Sequence, residues 1–571
     1  MRNFKYLNYP NPAFRRKTLQ NLNKIYEFEF LDSFELPEKY TKKIQVPFPY
    51  ESEASLINDQ KEHNYLAYKT TFNIDKKSNY ILHFDGVDYE CKIYINKKLV
   101  QTHKGGYTHF QILLNEELKL GENTLEVLVY DSYSKAQIRG KQRTKEENYS
   151  CFYTQQSGII RNVYLEEAGT KPIKDILVSA NKDGEITYKI TLFKKNSLDL
   201  QGFLKNRGVF TLKISEEKLV HTGKIKLKEF ELYSLENPIL YDLKVTSPGQ
   251  ERDVVYTYFG FRTIETKKQH VIFNDKPIYL RMILDQGYYP KKLNSPETID
   301  VLNDLKIIKE LGFNGIRVHQ TNQINSYYYI CDVLGLMVWN EIPSTFEVTD
   351  ESKNEIREQL PMLISQHFNS PSIIAHVLFN ETWGVYDLKS NVETQNFVNE
   401  CLKITKGIDK TRLVILNDGW FNLDKTDIVS LHEYEQDYKV FKKEYLDKKY
   451  VLTKKIINCN QFGEAFADNN SYHNQPILIT EFGGVALSSS TGWGYGEKVT
   501  SLRSYKSRIK HLFDVIYNID YVTGFCYTQL TDVEQEVNGL LTPDRQLKLK
   551  KSEIRKIVLG GKGKWIKDLN F

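Results

Sequence analysis

The chain of 571 residues reads as two antiparallel β-sandwiches followed by a (β/α)8 barrel. Three observations predict this. Up to about residue 264 the apolar runs are short, strand-like and punctuated by Gly, Asn and Pro. From residue 265 onward, apolar runs of about six residues alternate with longer amphipathic segments, the pattern of a parallel sheet with helical crossovers. The length also exceeds what one core organises, since domains typically hold about 100–200 residues.

The first unit is assigned to residues 1–167. Residues 65–74 partly alternate apolar and polar, and residues 80–100 read as two or three strands joined by short turns. Gly105-Gly106 and Gly121 mark turns before the strand at 124–130, and these signals together predict an antiparallel sandwich. The second unit, residues 168–264, carries strand candidates at 176–180, 186–192, 209–214 and 240–245. Its size suits a small immunoglobulin-like sandwich serving as a brace, without the cysteine pair of an antibody domain.

The third unit, residues 265–571, offers eight strands: 278–284, 315–319, 336–339, 373–379, 413–416, 428–431, 476–480 and 522–527. Helices are expected at 297–311, 324–334, 351–367, 391–405, 499–517 and 548–558. In such a barrel the chemistry gathers at the carboxyl ends of the strands. The residues just after each strand therefore form the search set.

Bulk composition narrows the function classes. The 78 basic and 73 acidic residues give a net charge of +5 with both signs mixed along the chain, so no nucleic-acid partner is expected. The lysine-rich stretch from Lys548 to Lys567 reads as a solvated last helix and tail. The opening Met1 to Pro10 lacks a signal-peptide core and no run is long enough to span a bilayer, which favours a cytoplasmic protein without a membrane partner. Cysteines 91, 151, 331, 401, 459 and 526 show no close pairing, so they read as reduced structural thiols. His319, His376 and His432 lack a ligand spacing such as HxxxH; neither a metal nor a cofactor is expected.

Asn-Glu occurs at 115–116, 340–341, 354–355, 380–381 and 399–400, but only Glu341 and Glu381 directly follow apolar, strand-like runs. The other acids at or beyond strand ends are Asp285, Asp418, Glu433, Glu481 and Asp532. Glu481 stands out, because a buried strand delivers it and then stops at Gly483-Gly484. Strand counting places Glu381 after the fourth strand and Glu481 after the seventh, facing each other across one mouth. Glycosidic cleavage commonly pairs two carboxyl groups in this way. Pairing with Arg317 or His319 is the purely structural alternative, and Glu341 and Glu433 are rivals for either role.

The chain resembles glycoside hydrolase family 2 in Phe84-Asp-Gly-Val-Asp-Tyr89, Gly105-Gly-Tyr107, Ser157-Gly-Ile-Ile-Arg161, Gly260-Phe-Arg262 and Gly312-Phe-Asn-Gly-Ile-Arg317. The resemblance continues through Cys331-Asp-Val-Leu-Gly-Leu336, Asn369-Ser-Pro-Ser-Ile-Ile374 and Ile479-Thr-Glu-Phe-Gly-Gly484. It implies a jelly-roll sugar-binding-like domain, an immunoglobulin-like domain and a catalytic barrel. It further implies that Glu381 is the acid/base, that Asn380 bonds the sugar 2-hydroxyl, and that Glu481 is the nucleophile of a retaining mechanism. Arg317 would hold Glu481 ionised and Tyr434 would contact it.

Trp339, Trp420, Trp493 and Tyr527 follow strands and are candidates for a sugar platform. Departures from the family pattern bear on the substrate. Leu284-Asp285-Gln286 stands where relatives often have a His-acid pair, which makes Asp285 and Gln286 candidate hydroxyl ligands. The second strand reads Arg317-Val-His319-Gln, so His319 matches only in part. Asn538-Gly-Leu540 lacks the lysine of the Asn-x-Lys element with which glucuronidases bind the sugar carboxylate. The resemblance thus implies an exo-acting retaining β-glycosidase on an oligosaccharide or glycoside, with terminal β-galactosides first. The alternatives are a β-glucuronidase, another β-glycosidase of the family, or a catalytically silent carbohydrate-binding scaffold. Family precedent allows a homo-oligomer.

Overall fold

The computed structural model describes residues 4–453, 455–456 and 463–560. Cys459 and the final residues of the lysine-rich stretch lie outside the described residues. In the first sandwich a four-stranded sheet, ordered Leu19–Asn21, Val163–Ala168, Asn79–Phe84 and Phe110–Leu114, faces a six-stranded sheet centred on Tyr65–Ile74 and Gly121–Tyr130. Alternate residues such as Leu66, Tyr68, Phe72, Leu82, Phe84, Val127 and Val129 fill the shared core, as a strand period of two requires.

The second unit is built around a longer hairpin than the sequence predicts. Glu185–Leu204 and Arg207–Lys226 pair along most of their length. Register shifts fall between Thr191 and Leu198, and the two halves of Glu185–Leu204 take different second neighbours: Ile173–Ala180 along the first half and Tyr241–Ser247 along the second. Polar Lys194-Lys195-Asn196 breaks the apolar alternation at this bend, which hides the continuity of the strand from a reading of short runs. The turn residues Lys205 and Asn206 have φ of 50° and 68°, the geometry of a two-residue hairpin.

A three-stranded meander (Ile264–Lys267, His270–Phe273, Lys276–Ile278) precedes the barrel, and its Ile264, Val271 and Phe273 pack on the barrel interior. The barrel strands are β1 Leu280–Asp285, β2 Gly315–Val318, β3 Met337–Glu341, β4 Ile373–Val377, β5 Leu413–Ile415, β6 Val429–Glu433, β7 Ile477–Gly483 and β8 Val522–Thr528. They form one parallel ladder ordered β5-β4-β3-β2-β1-β8-β7-β6. At the β5/β6 seam Asp427 donates a backbone bond to Val414 at 2.9 Å, and the Asn422 amide bonds both the N–H and the C=O of Ser430.

Met282, Leu284, Trp339, Ala375, Val377, Leu478 and Cys526 fill the interior, while their strand neighbours face the helices. Trp339 is therefore a core filler and forms no sugar platform. Two short helices after β6, Tyr438–Glu444 and Lys448–Thr453, lack enough turns to show a period in sequence. Among the described residues, no helix is long and apolar enough to cross a membrane.

Buried polar clamps fix the three units together. Arg161 donates to the backbone of Asn294 and Asn322, joining the first sandwich to the barrel. Asn369 bonds Val178, Ile176 and Thr257, and Arg262 donates to Pro371, Thr411 and Ile373, joining the second. Arg16 lies between Glu166 at 2.7 Å and Asp253 at 2.9 Å, with all three side chains at most 2% exposed. Burial disfavours the Glu166 carboxylate, but Arg16 and His83 outweigh it and hold its pKa down at about 2.

Replacing Arg16 by Met leaves two buried carboxylates without their cation and should cost about 3–5 kcal/mol. Scanning calorimetry should show the lowest unfolding transition shifted down. The wild-type advantage is full above the ordinary Glu value of 4.5 and should vanish as the pH falls through about 2.

Candidate active site

Arg317 comes from the middle of β2, fully buried, and four side-chain acceptors converge on it besides Thr480 C=O. Its Nε donates to Glu341 at 2.7 Å, and one terminal nitrogen meets Asp418 at 2.5 Å and Glu481 at 2.9 Å. The other terminal nitrogen donates to Asn380 Oδ1 at 2.6 Å. A planar guanidinium with five donors is the side chain that can satisfy this fork.

Past β4 the chain pairs once more, Asn380 beside Asp418, and then turns. Glu381 and Thr382 have φ of 49° and 62°, and Trp383 N–H donates to Asn380 C=O at 2.8 Å, which makes a type I′ turn. Left-handed φ is uncommon outside Gly, and Glu381 N–H is pinned to Asp418 C=O at 2.9 Å. The turn aims the Glu381 carboxylate into the mouth. On β6, Ser430, His432 and Tyr434 share the inward face by alternation, which sends Glu433 outward and removes it as a rival. After Glu481 on β7, Gly483 and Gly484 have φ of 86° and 62°; a Cβ on either would collide with the ring of Tyr527 or Tyr495.

Glu381, His432 and Glu481 present side-chain atoms all within 4.8 Å of one another. His432 Nδ1 bonds Glu381 at 2.7 Å and Nε2 bonds Asp418 at 2.9 Å, while Glu481 lies 3.6 Å away. Burial opposes a charge on this imidazole, but Glu481 and the bonds to Asp418 and Glu381 prevail and lift its pKa to about 10. In that protonated state both ring nitrogens donate, to Glu381 and to Asp418.

Tyr434 donates to Glu481 at 2.5 Å and stacks on Tyr495 with ring centres 3.3 Å apart. Burial would raise the pKa of Glu481, yet the charges of His432 and Arg317 bring it below the ordinary value. Glu381 moves the other way: burial raises it, and Glu481 adds to the rise against the His432 bond.

The structure thus brings together Glu381, Glu481, Asn380, Arg317 and Tyr434. His319 joins through Glu341, at 3.1 Å, with its ring 6.2 Å from that of Trp383. Gln286 sits at the side of the mouth, donating to Tyr153 and Gln529. Trp493 stands half-buried at the rim, edge-on to Tyr495, with its N–H on Ser150 C=O at 2.8 Å. Trp420 is edge-on to His432.

Two further expectations fail. Asp285 points outward, holding Gly287 N–H and Tyr327 OH, because β1 places Leu284 inside and its neighbours outside. Tyr527 likewise packs on Phe482 and Phe513 in the helix-facing core. Sequence reasoning missed His432 as a partner of both acids, although its spacing of two from Tyr434 puts the pair on one strand face. It also missed Lys141, Tyr153 and Glu536. Residues 139–153 of the first sandwich lie across the mouth, and no spacing within the barrel could reveal that.

The architecture is a barrel whose strand ends bring several buried acids together around Arg317 and His432. Residues 39–166 match the glycosyl hydrolase 2 galactose-binding domain-like family, and residues 264–559 match the glycosyl hydrolases family 2 TIM barrel domain. The chain belongs to glycoside hydrolase family 2. A beta-galactosidase of Thermoanaerobacter pseudethanolicus is 27% identical over 421 residues, covering 69% of this chain and 53% of that protein. A beta-glucuronidase of Streptococcus agalactiae is 24% identical over 470 residues, covering 72% and 73%. The chain spans about half the length of several of the curated relatives it matches. A beta-D-glucuronidase structure from Dictyoglomus thermophilum shares the fold with a TM-score of 0.79 at 18% identity, covering 97% of this chain and 99% of that one. A GH2 beta-galacturonidase from Eisenbergiella tayi does so at 0.77 and 19%, covering 96% and 98%.

Arg317→Met should destabilise the fold by about 3–5 kcal/mol at pH 8, by stranding buried carboxylates. At pH 5 the loss should be smaller, because protonating Glu341, whose pKa burial raises, relieves part of the charge. Thermal melts of both proteins across this range check the sign.

Proposed function

We propose that the chain is a retaining, exo-acting β-glycosidase of terminal β-linked neutral hexosides, β-galactosides first, with Glu481 as nucleophile and Glu381 as acid/base. One observation carries the reading: carboxyl oxygens of Glu381 and Glu481 approach within 4.8 Å. A retaining pair stands ~5–5.5 Å apart, whereas an inverting pair needs ~6.5–9.5 Å to admit a water.

The electrostatics fit the two roles. Glu481 must be ionised to attack the anomeric carbon, and Arg317, His432 and the Tyr434 hydroxyl all stabilise its charge. Glu381 must hold a proton for the leaving oxygen, and both burial and the charge on Glu481 favour that proton. Once Glu481 becomes the glycosyl ester its charge is gone, the push on Glu381 falls, and Glu381 is ready to take a proton from water. Asn380, fixed by Arg317, keeps its amide N–H groups for the sugar 2-hydroxyl. The beta-galactosidase names among the relatives and the absence of an Asn-x-Lys lysine support a neutral sugar. A silent scaffold would not need this opposed tuning of two acids.

Glu381→Ala should lower kcat about 10²–10⁴-fold on substrates with poor leaving groups. Azide should restore turnover of an activated aryl glycoside and yield the β-glycosyl azide, while Glu481→Ala should be inactive throughout. Full activity in either variant, on a panel of nitrophenyl β-glycosides, sinks the assignment. A second check is pH dependence. His432→Asn removes a cation beside both acids, so each loses ionised-form stabilisation and both limbs of the kcat/KM bell should move to higher pH.

A further inference from the structure

Lys141 belongs to the first sandwich, yet it stands in the mouth of the barrel. Its position is tightly built. Arg139 and Gly140 N–H groups donate to Ser344 C=O in the loop after β3, at 3.0 and 3.1 Å. Tyr107 OH holds Arg139 C=O at 3.0 Å, and Tyr153 N–H holds Lys141 C=O at 2.8 Å. Gly140 has φ of 61° and lies so close to Gln320 C=O that no Cβ fits. The far side of the loop is fastened to the β8 loop, where Gln535 donates to Ser150 and Phe152 C=O groups.

The Lys141 side chain is 8% exposed and lies 3.6 Å from Glu536, which is 2% exposed. That distance is an ion pair, longer than a hydrogen bond. Among the described residues no protein acceptor takes a hydrogen bond from Lys141 Nζ, so three N–H donors are left at the edge of the mouth. They lie 6.0 Å from the Trp383 ring, beside the Glu381 turn, and within reach of the charges of Glu381 and Glu481. A nearly buried ammonium without hydrogen bonds is costly, and a ligand oxygen would satisfy it.

Glu536 decides which oxygen. It is held by Tyr153 OH and by Asn538 Nδ2 at 3.1 Å, and it cancels the lysine charge. Arg317, His432 and Lys141 are three cations facing five carboxyl groups, Glu341, Glu381, Asp418, Glu481 and Glu536. Even with Glu381 protonated, a sugar carboxylate would enter a site already short of positive charge.

We propose that the Lys141–Glu536 pair is the specificity subsite of this mouth, in which Lys141 donates to a hydroxyl of a neutral sugar and Glu536 keeps carboxylate-bearing sugars out. The proposal rests on the glycosidase reading above and adds the residues that select the substrate class.

The test is steady-state kinetics of the full chain on nitrophenyl β-galactoside, β-glucoside, β-galacturonide and β-glucuronide, with monodeoxy analogues of the preferred sugar. Lys141→Met should lower kcat/KM on that sugar about 10- to 150-fold, the range of a hydrogen bond to a charged group. On the analogue lacking the contacted hydroxyl the same variant should lose less than about threefold. Glu536→Gln unmasks the lysine and should raise the uronide-to-hexoside ratio at least about tenfold. Melting temperatures confirm folding, and Lys141→Gln replaces Lys141→Met where the latter fails to fold. Equal kinetics of wild type and both lysine variants overturn the proposal, as does a wild type that prefers uronides and loses them with Lys141. A wild type inactive on every substrate refutes the glycosidase reading instead. Calorimetric binding of the corresponding 1-thio-β-glycosides then decides this subsite: tighter binding of the neutral sugar, lost in Lys141→Met, supports it, and any other order overturns it.

Discussion

One guanidinium organises the barrel mouth. Arg317 is wholly buried and joins strands that lie far apart in sequence: β3 through Glu341, the end of β4 through Asn380, the β5 loop through Asp418 and β7 through Glu481. A buried cation of this kind is tolerable only when every donor finds an acceptor. That constraint fixes the positions of the acceptors as firmly as it fixes the arginine. The nucleophile candidate and the amide that would read the sugar therefore share one rigid anchor, which is how a site holds its geometry to a fraction of an ångström.

His432 supplies a second share of the charge. It sits between Asp418, which Arg317 already engages, and Glu381, which Arg317 does not touch. Glu481 feels both cations and Glu381 only one of them directly, and this asymmetry separates the two acids. The same pair of carboxyl groups placed symmetrically about a single cation would titrate alike and lose the contrast between a proton-holding and an ionised acid.

Much of this was legible in the chain. All eight barrel strands show as apolar runs, because parallel strands covered on both faces need continuous hydrophobicity. Counting strands and asking what stands at their ends singles out Glu381 and Glu481, which the structure places within reach of each other. Less visible was the direction of each side chain. Asp285 and Tyr527 are each one position out of phase with the inward residues Leu284 and Cys526, and a period of two turns such a step into the opposite face. Several of the most recognisable stretches prove structural: Arg161, Arg262 and Asn369 bond backbone across unit boundaries, and Asp332 accepts from the Tyr258 hydroxyl of the second unit.

Those boundary clamps have a chemical consequence. Lys141 reaches the mouth only because Arg161 and Tyr107 seat the first sandwich on the loops after β1 and β2, and because Gly140 allows backbone contact with Gln320. The barrel strands alone supply two acids and the cations that tune them, which suffices to break a glycosidic bond but says little about which sugar is held. Discrimination among sugars depends on polar groups placed around the ring, since removing or adding one partner of a buried hydrogen bond is what separates close analogues. In this chain residues 139–153 of the first sandwich form part of the mouth. On the proposed role of Lys141 and Glu536, substrate choice would vary through residues 139–153 and the β8 loop while Arg317 and its acceptors stay unchanged, beyond the reach of any reading confined to the barrel strands.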